Sequence, residues 1–319
     1  MWRRRFEPKI HPLKDTMEFD VIIDTSLFEL GINCEGATKN EFLVTLVNDF
    51  EDGNWRFEKF QNFVWDNISE TALSVTEREA LESQPASLLT AAAKNLRLTD
   101  SDNDFGKGSE LAEIVLYGIM KHKYGALPVV PKIFYKQNVQ DNAKGADSVH
   151  IVLEGKDGFS LWFGEAKFYS SIEDVRLDAV IGSVANSLAK DKLKKENSII
   201  TNVSDLDNLD IDDGIRENIK SALAPKNSID TIKPLLNVPI LLLHECNITA
   251  TTKEYTKEYR KAIADRHMER AEAYFKKQIV KLRHIHKCDE IRFDLILFPV
   301  PKKSPIVDKF VSNVGQYKG

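Results

Sequence analysis

KGADSVHIVLEGKDGFSLWFGEAKF, residues 144–168, is the stretch that decides the fold of this chain. It contains two runs rich in β-branched and aromatic residues, Ala146–Glu154 and Phe159–Phe168, separated by a short polar segment with two glycines. This pattern is typical of two antiparallel strands joined by a tight turn. The stretch therefore predicts a β-hairpin.

The register of the hairpin follows from its apolar side chains, because successive residues of a strand point to opposite faces. If the apolar faces of both strands lie in one layer, Leu153 pairs with Phe159 and a three-residue loop remains. The same register places Asp147 opposite Glu165, with Lys167 just beyond on the same face. A slip of one residue would move the two carboxylates to opposite faces. We therefore predict that these three charged groups meet at the far end of the hairpin.

These residue types point to metal-assisted hydrolysis of phosphodiesters. Two neighbouring carboxylates repel each other unless a cation lies between them, and hard oxygen ligands favour Mg²⁺ or Mn²⁺ over zinc. A lysine beyond the second carboxylate can hold or deprotonate an attacking water and stabilise charge on a phosphate. Asp147 and Glu165 are thus the candidate metal ligands, and Lys167 is the candidate catalytic amine. The alternative is an exposed ion pair on an edge hairpin.

The other segments predict an α/β protein with a mixed central sheet flanked by helices. Val238–Glu245 and Glu290–Val300 are apolar and have the length of strands. Thr251–His286 has the pattern of a long helix, and another helix is expected to begin after Ser109 as its N-cap. The apolar spacing in Asn40–Phe50 also predicts a helix.

A polar segment at 101–108, SDNDFGKG, predicts a domain boundary. Residues 1–104 are expected to form an N-terminal mixed, largely helical region, a candidate surface for docking a partner. Residues 105–319 are expected to form the core that carries the hairpin.

Composition narrows the function classes further. The chain has 319 residues, 42% of them hydrophobic, and a net charge of −5, so strong nonspecific attraction to nucleic acid is not expected. A local excess of basic residues, eleven against five acidic ones, occurs in 253–287. No apolar run approaches the roughly 20 residues of a membrane helix. The three separated cysteines favour a reducing compartment, and we expect a cytoplasmic protein.

The arrangement resembles the PD-(D/E)xK nuclease superfamily, with Asp147 as the first motif residue and Glu165-Ala166-Lys167 as the second motif. The resemblance implies a restriction-endonuclease-like core, Mg²⁺ dependence and cleavage of DNA, with the Ala166 carbonyl as a third metal ligand. Many members also use a glutamate on the helix before the hairpin. Glu113 matches that position best, and Glu110 is the second choice.

More narrowly, KGADSVHIVLE followed by FGEAKFY resembles the HamA-type subunit of Hachiman anti-phage defence systems, over most of residues 108–300. This resemblance implies a DNA nuclease that works with a superfamily 2 helicase of the HamB type. The chain lacks a G-x-x-x-x-G-K-[ST] motif, so an ATP-driven step would require another chain. Two alternatives are a catalytically silent subunit that docks or regulates a helicase, and cleavage of RNA.

Overall fold

The computed structural model describes residues 17–98, 108–131, 146–155, 158–202 and 211–319, together with residues 133, 206, 207 and 209. Within these ranges, the helices are all too short or too polar to cross a membrane.

The strands follow the chain as β1 (Asp20–Ser26), β2 (Glu41–Val47), β3 (Phe50–Glu51), β4 (Asn54–Trp55), β5 (Leu127–Val130), β6 (Ser148–Glu154), β7 (Gly158–Tyr169), β8 (Leu236–Glu245) and β9 (Arg292–Val300). The helices are α1 (Phe57–Ala72), α2 (Val75–Ala80), α3 (Pro85–Asn95), α4 (Ser109–Tyr124), α5 (Asp174–Ser187), α6 (Lys190–Asn202), α7 (Asp213–Ala222), α8 (Asn247–Thr251), α9 (Lys257–Leu282) and α10 (Lys303–Lys318).

Seven strands form one mixed sheet in the order β1-β2-β9-β8-β7-β6-β5, while β3 and β4 form a separate small hairpin. The four central strands β2, β9, β8 and β7 are mutually parallel. Antiparallel β1 lies on one side of them, and antiparallel β6 and β5 lie on the other. The carboxyl ends of the parallel strands therefore meet at one edge, where ligands bind in open α/β sheets.

Helices cover both faces of this sheet, and each face has its own apolar core. One core joins α1, α4 and α10 to the sheet through residues such as Leu116, Leu241 and Phe310. The other joins α5 and α9 to the opposite face through residues such as Val180 and Phe275. The predicted fold class, a mixed α/β sheet flanked by helices, is confirmed.

The segment Asn40–Phe50 is not a helix as predicted, because most of it forms the central strand β2. Leu43, Val44 and Leu46 are fully buried and alternate between the two cores. A strand that is covered on both faces has no polar alternation, so its periodicity does not distinguish it from a buried helix. Since β1 and β2 belong to the main sheet, the N-terminal region shares one sheet with the core; the predicted boundary at 104 lies outside the described residues.

The other strands match their predicted positions. Val238–Glu245 and Glu290–Val300 correspond to β8 and β9, each within two residues at every end. The helix predicted over Thr251–His286 is α9, which begins later, at Lys257, after the capping residue Thr256. The helix predicted after an N-cap at Ser109 is α4, but its N-cap is Gly108, in a left-handed conformation.

Candidate active site

The predicted hairpin register is confirmed. Leu153 pairs with Phe159, and Glu154 pairs with Gly158, which leaves the three-residue loop. Ser148 pairs with Gly164, and the amide of Asp147 donates to the Gly164 carbonyl at 2.7 Å. The carboxylates of Asp147 and Glu165 are consequently neighbours at the end of the hairpin.

Three oxygen atoms converge on the Nζ atom of Lys167. The Glu165 Oε1 atom lies 2.5 Å away, Asp147 Oδ2 lies 3.0 Å away, and the Ala166 carbonyl oxygen lies 3.2 Å away. The ammonium therefore occupies a point that two carboxylates and one carbonyl surround. The structure brings together Asp147, Glu165, Ala166 and Lys167, as the sequence predicts.

Neighbouring groups hold both carboxylates in place. The Ser183 hydroxyl of α5 donates to Glu165 Oε1 at 2.5 Å, and the Ala166 amide donates to Asp147 Oδ2 at 3.1 Å. Glu165 is 4% exposed, whereas the Lys167 side chain is 25% exposed. The cluster is thus rigid on its inner side and open to solvent on the lysine side.

The electrostatics of the cluster favour a cation at its centre. Burial and the negative charge of Asp147 raise the pKa of Glu165 above its usual value. Burial alone would lower the pKa of Lys167, but the charges of Asp147 and Glu165 outweigh this effect and raise its pKa. Lys167 is therefore an ammonium in this arrangement and donates hydrogen bonds rather than accepting a proton.

The donor set fits a small divalent cation. Two carboxylate oxygens and a backbone carbonyl are hard ligands, and Mg²⁺ commonly takes few protein ligands because it retains several waters. Across the described part of the chain, three or more His, Cys, Asp or Glu side chains do not gather in metal-binding geometry. A metal here would therefore depend on Asp147, Glu165 and the Ala166 carbonyl.

The two candidate helix glutamates have different surroundings. Both carboxylate oxygens of Glu110 accept hydrogen bonds from backbone amides, those of Arg97 and Leu98, at 2.9 and 2.8 Å. Glu110 thus stabilises the chain that follows α3. Glu113 is buried, with 5% exposure.

Helix α4, which carries Glu113, packs against β7. A methyl group on Gly108 would approach Phe168 to 3.2 Å, and one on Gly164 would approach Leu116 to 2.7 Å. α4 and β7 therefore run in opposite directions in close contact. Glu113 is one turn before Leu116 on the same side of the helix. α4 covers the face of the sheet opposite to the one on which Ser183 of α5 meets Glu165, so the packing of this helix does not decide between Glu113 and Glu110, and the role of Glu113 stays a prediction.

Sequence reasoning missed Ser183, although it contacts Glu165 directly. It lies 18 residues further on, in a segment (172–195) that the pattern predicts as a single helix. The structure divides that segment into α5 and α6. Helical periodicity identifies the buried face of a helix but not the strand residue that it meets. A single sequence therefore carries no signal for this contact.

The histidines near the hairpin lie in the interior. His150 is 1% exposed, and burial lowers its pKa to about 3. His244 and His267 are buried together, with their Nε2 atoms 3.1 Å apart. His244 Nδ1 lies 3.0 Å from the Glu245 carbonyl oxygen, and His267 Nδ1 lies 3.0 Å from the Thr45 hydroxyl. These residues fit a role in packing.

Comparison with known proteins gives one result. The model of the HamA family matches residues 24–314, which is most of the chain and includes the whole hairpin. No curated protein matches the sequence significantly.

Proposed function

This chain belongs to the HamA family, which associates it with Hachiman defence, and from that premise we propose that it is a Mg²⁺-dependent DNA endonuclease. The observation that carries the proposal is the convergence of Asp147 Oδ2, Glu165 Oε1 and the Ala166 carbonyl oxygen on one cationic atom. This convergence supports a cation site of the kind that the PD-(D/E)xK resemblance implies.

Each residue has a defined task in this mechanism. Asp147, Glu165 and the Ala166 carbonyl would hold Mg²⁺, which when bound would supply Lewis acidity and lower the pKa of a coordinated water. Ser183 keeps the Glu165 carboxylate oriented through its hydrogen bond. Lys167, once displaced from the centre of the cluster, can orient the attacking water and donate to a phosphate oxygen as negative charge develops. Glu113 is the helix carboxylate that the PD-(D/E)xK resemblance implies for this site.

We further propose that DNA reaches this site with the help of a helicase of the HamB type. The net charge of −5 gives the chain weak general attraction to phosphates. The sequence has no P-loop motif of its own, so strand separation driven by ATP would come from the partner.

A nuclease assay tests the proposal. We expect the purified chain, alone or with the helicase encoded beside it, to cleave plasmid DNA in Mg²⁺ and not in EDTA. Glu165→Ala and Lys167→Ala should abolish cleavage, with thermal unfolding showing that both variants remain folded. His286→Ala, a substitution of an exposed residue between α9 and the start of β9, is the control that should retain activity.

The same assay distinguishes the alternatives. Wild-type cleavage by both site variants would remove the assignment of these residues. Absence of cleavage under every condition, together with absence of Mn²⁺ binding to the carboxylate pair, would instead favour a catalytically silent subunit that docks or regulates the helicase. A matched RNA substrate in parallel decides between DNA and RNA.

A further inference from the structure

A cavity of about 310 Å³ lies at the carboxyl ends of β7 and β8, beside the candidate active site. Ser170 and Ser171 line it directly after β7, and Glu245, the last residue of β8, and Asn247 line it as well. Ser170 is three residues beyond Lys167, which is roughly 10 Å along an extended chain. The cavity is thus close enough for a polymer in the active site to pass through it.

Arg266 on α9 supplies a positive charge to this cavity. Its guanidinium is paired with the Glu173 carboxylate at 3.3 Å, and both residues line the cavity. Their side chains are 39% and 63% exposed, so the pair is an exposed one. Exposed pairs are worth about 0–1 kcal/mol, and another anion can readily exchange with the carboxylate.

Arg266 differs from its neighbour Arg270 in the number of carboxylates with which it pairs. Arg270 pairs with Asp174 at 3.2 Å as well as with Glu173 at 3.7 Å and Glu269 at 3.0 Å. Arg270 therefore keeps carboxylate partners if Glu173 moves away. For Arg266, the structure describes Glu173 as its carboxylate partner. Release of Glu173 would free the Arg266 guanidinium to bind another anion at the cavity.

We propose that this cavity binds a backbone phosphate of the nucleic-acid strand, with Arg266 as its ligand and Glu173 as the carboxylate that occupies Arg266 in the free protein. The proposal rests on the nuclease function proposed above. Arg266 is a positioning residue, since it would hold the strand a few nucleotides from the bond that is cut. The hydroxyls of Ser170 and Ser171 and the amide of Asn247 provide further donors suited to phosphate oxygens.

DNA binding measured without cleavage tests this assignment. The probe is a fluorescein-labelled 20-nucleotide DNA, single-stranded and duplex, in EDTA, with the dissociation constant followed by anisotropy over a range of salt concentrations. We expect Arg266→Gln to weaken binding about tenfold and to reduce the dependence on salt by about one phosphate contact. Glu173→Gln should strengthen binding about threefold, because it releases Arg266. Arg266→Lys should restore part of the loss.

A second ion pair on the same helix provides matched controls. Lys276 and Glu272 form an exposed pair at 2.5 Å, away from the cavity. Lys276→Gln and Glu272→Gln change the net charge by the same amounts as the two test substitutions. They should leave both the affinity and its dependence on salt nearly unchanged. The Glu173 side chain makes no capping hydrogen bond to α5, so Glu173→Gln should not weaken that helix.

The outcomes separate this inference from the proposed function. If wild type binds and cleaves DNA but the Arg266 and Glu173 variants behave like the controls, the phosphate site is wrong and the nuclease assignment stands. If Glu173→Gln weakens binding as Arg266→Gln does, the pair is only structural and the inference is again wrong. If wild type neither binds nor cleaves DNA, alone or with its helicase partner, both proposals fail.

Discussion

Arg292 and Asp294 on β9 form a closed ion pair, whereas Asp147, Glu165 and Lys167 at the end of the hairpin form an open cluster. The Asp294 side chain is fully buried, and its two oxygens accept from Arg292 Nη2 and Nε at 2.6 and 2.9 Å. In the cluster, three oxygens share the ammonium of Lys167, whose side chain is 25% exposed. Both groups lie on the same sheet, and they differ in how donors match acceptors.

That difference separates a structural pair from a candidate metal site. The planar guanidinium matches one carboxylate with two parallel hydrogen bonds, so a spherical ion cannot replace it without loss of geometry. Oxygens that already converge on a point can accept a spherical ion, once the flexible lysine side chain moves away. The arrangement of the acceptors, rather than the presence of buried charge, is therefore the informative feature.

Replacing one carboxylate in each group should affect different properties, cleavage in the open cluster and stability in the closed pair. This is the largest effect that we expect. Glu165→Gln removes a metal ligand, so cleavage should fall by at least about a hundredfold, while stability changes by less than about 1 kcal/mol. Asp294→Ala leaves Arg292 without its buried partner, so stability should fall by about 3 kcal/mol. Its cleavage, measured below the unfolding temperature, should stay within about threefold of wild type. Plasmid cleavage and urea unfolding measure the two effects.

Loss of the same property in Glu165→Gln and Asp294→Ala would contradict this distinction between the two groups. Equal loss of stability would mean that Glu165 is as structural as Asp294. Equal loss of cleavage in folded protein would mean that the Arg292 pair also contributes to the site.

The open cluster should also depend on the close contact between α4 and β7. Gly164 precedes Glu165, and a methyl group there would lie 2.7 Å from Leu116 Cδ2 and 3.2 Å from Pro239 Cγ. We expect Gly164→Ala to cost about 1–3 kcal/mol of stability and to reduce cleavage, because the strand must shift. Gly182→Ala on α5 is the control: nothing lies within 4 Å of the added methyl group, and helix propensity should raise stability by up to about 1 kcal/mol. Urea unfolding measures both, and equal stability of the two variants would contradict this packing argument.

The same comparison extends to the two glutamates of α4. Glu110 accepts from two backbone amides, so Glu110→Gln should lower stability by about 1 kcal/mol with little change in cleavage. Glu113→Gln should instead lower cleavage about tenfold in Mg²⁺ with a smaller change in stability. Steady-state cleavage and thermal unfolding of the two variants measure this, and the reverse result would assign the catalytic role to Glu110.

The hairpin and its charged end could be predicted because they depend on local pattern. Alternation of apolar residues determines which face each side chain occupies, and the short loop then determines the register. The juxtaposition of Asp147 and Glu165 follows from these two facts and needs no information from the rest of the chain.

The features that could not be predicted depend on contacts between distant elements. β2 lies between β1 and β9 and is buried on both faces, so its sequence lacks the alternation of a surface strand. Ser183 and Arg266 reach the site only because α5 and α9 pack on the same face of the sheet. The role of Glu110 could not be read from the sequence either. Its hydrogen-bond partners are the amides of Arg97 and Leu98, which belong to the chain after α3.

The smallest expected effect is a dependence of stability on pH that Mg²⁺ reverses. Burial and Asp147 raise the pKa of Glu165 above its usual value near 4.5, so its ionised form is disfavoured in the folded chain. A carboxyl group with a raised pKa contributes stability at pH values below its unfolded pKa and loses that contribution as pH rises through the folded pKa. In EDTA, wild type should therefore lose stability relative to Glu165→Gln as the pH rises above about 4.5.

Divalent ions should change the sign of this trend, because a cation on the cluster favours the ionised form of Glu165. In Mg²⁺ or Mn²⁺, wild type should gain stability relative to Glu165→Gln as pH rises, and Mn²⁺ affinity should weaken as pH falls and Glu165 takes up a proton. Lys167, whose pKa is raised, stays charged across this range and adds no slope of its own. Urea unfolding at several pH values, with and without the metal, measures the trend. An identical pH profile in EDTA and Mg²⁺ would mean that the converging oxygens do not bind the ion, and the open cluster would then be an ion pair like that of Arg292 and Asp294.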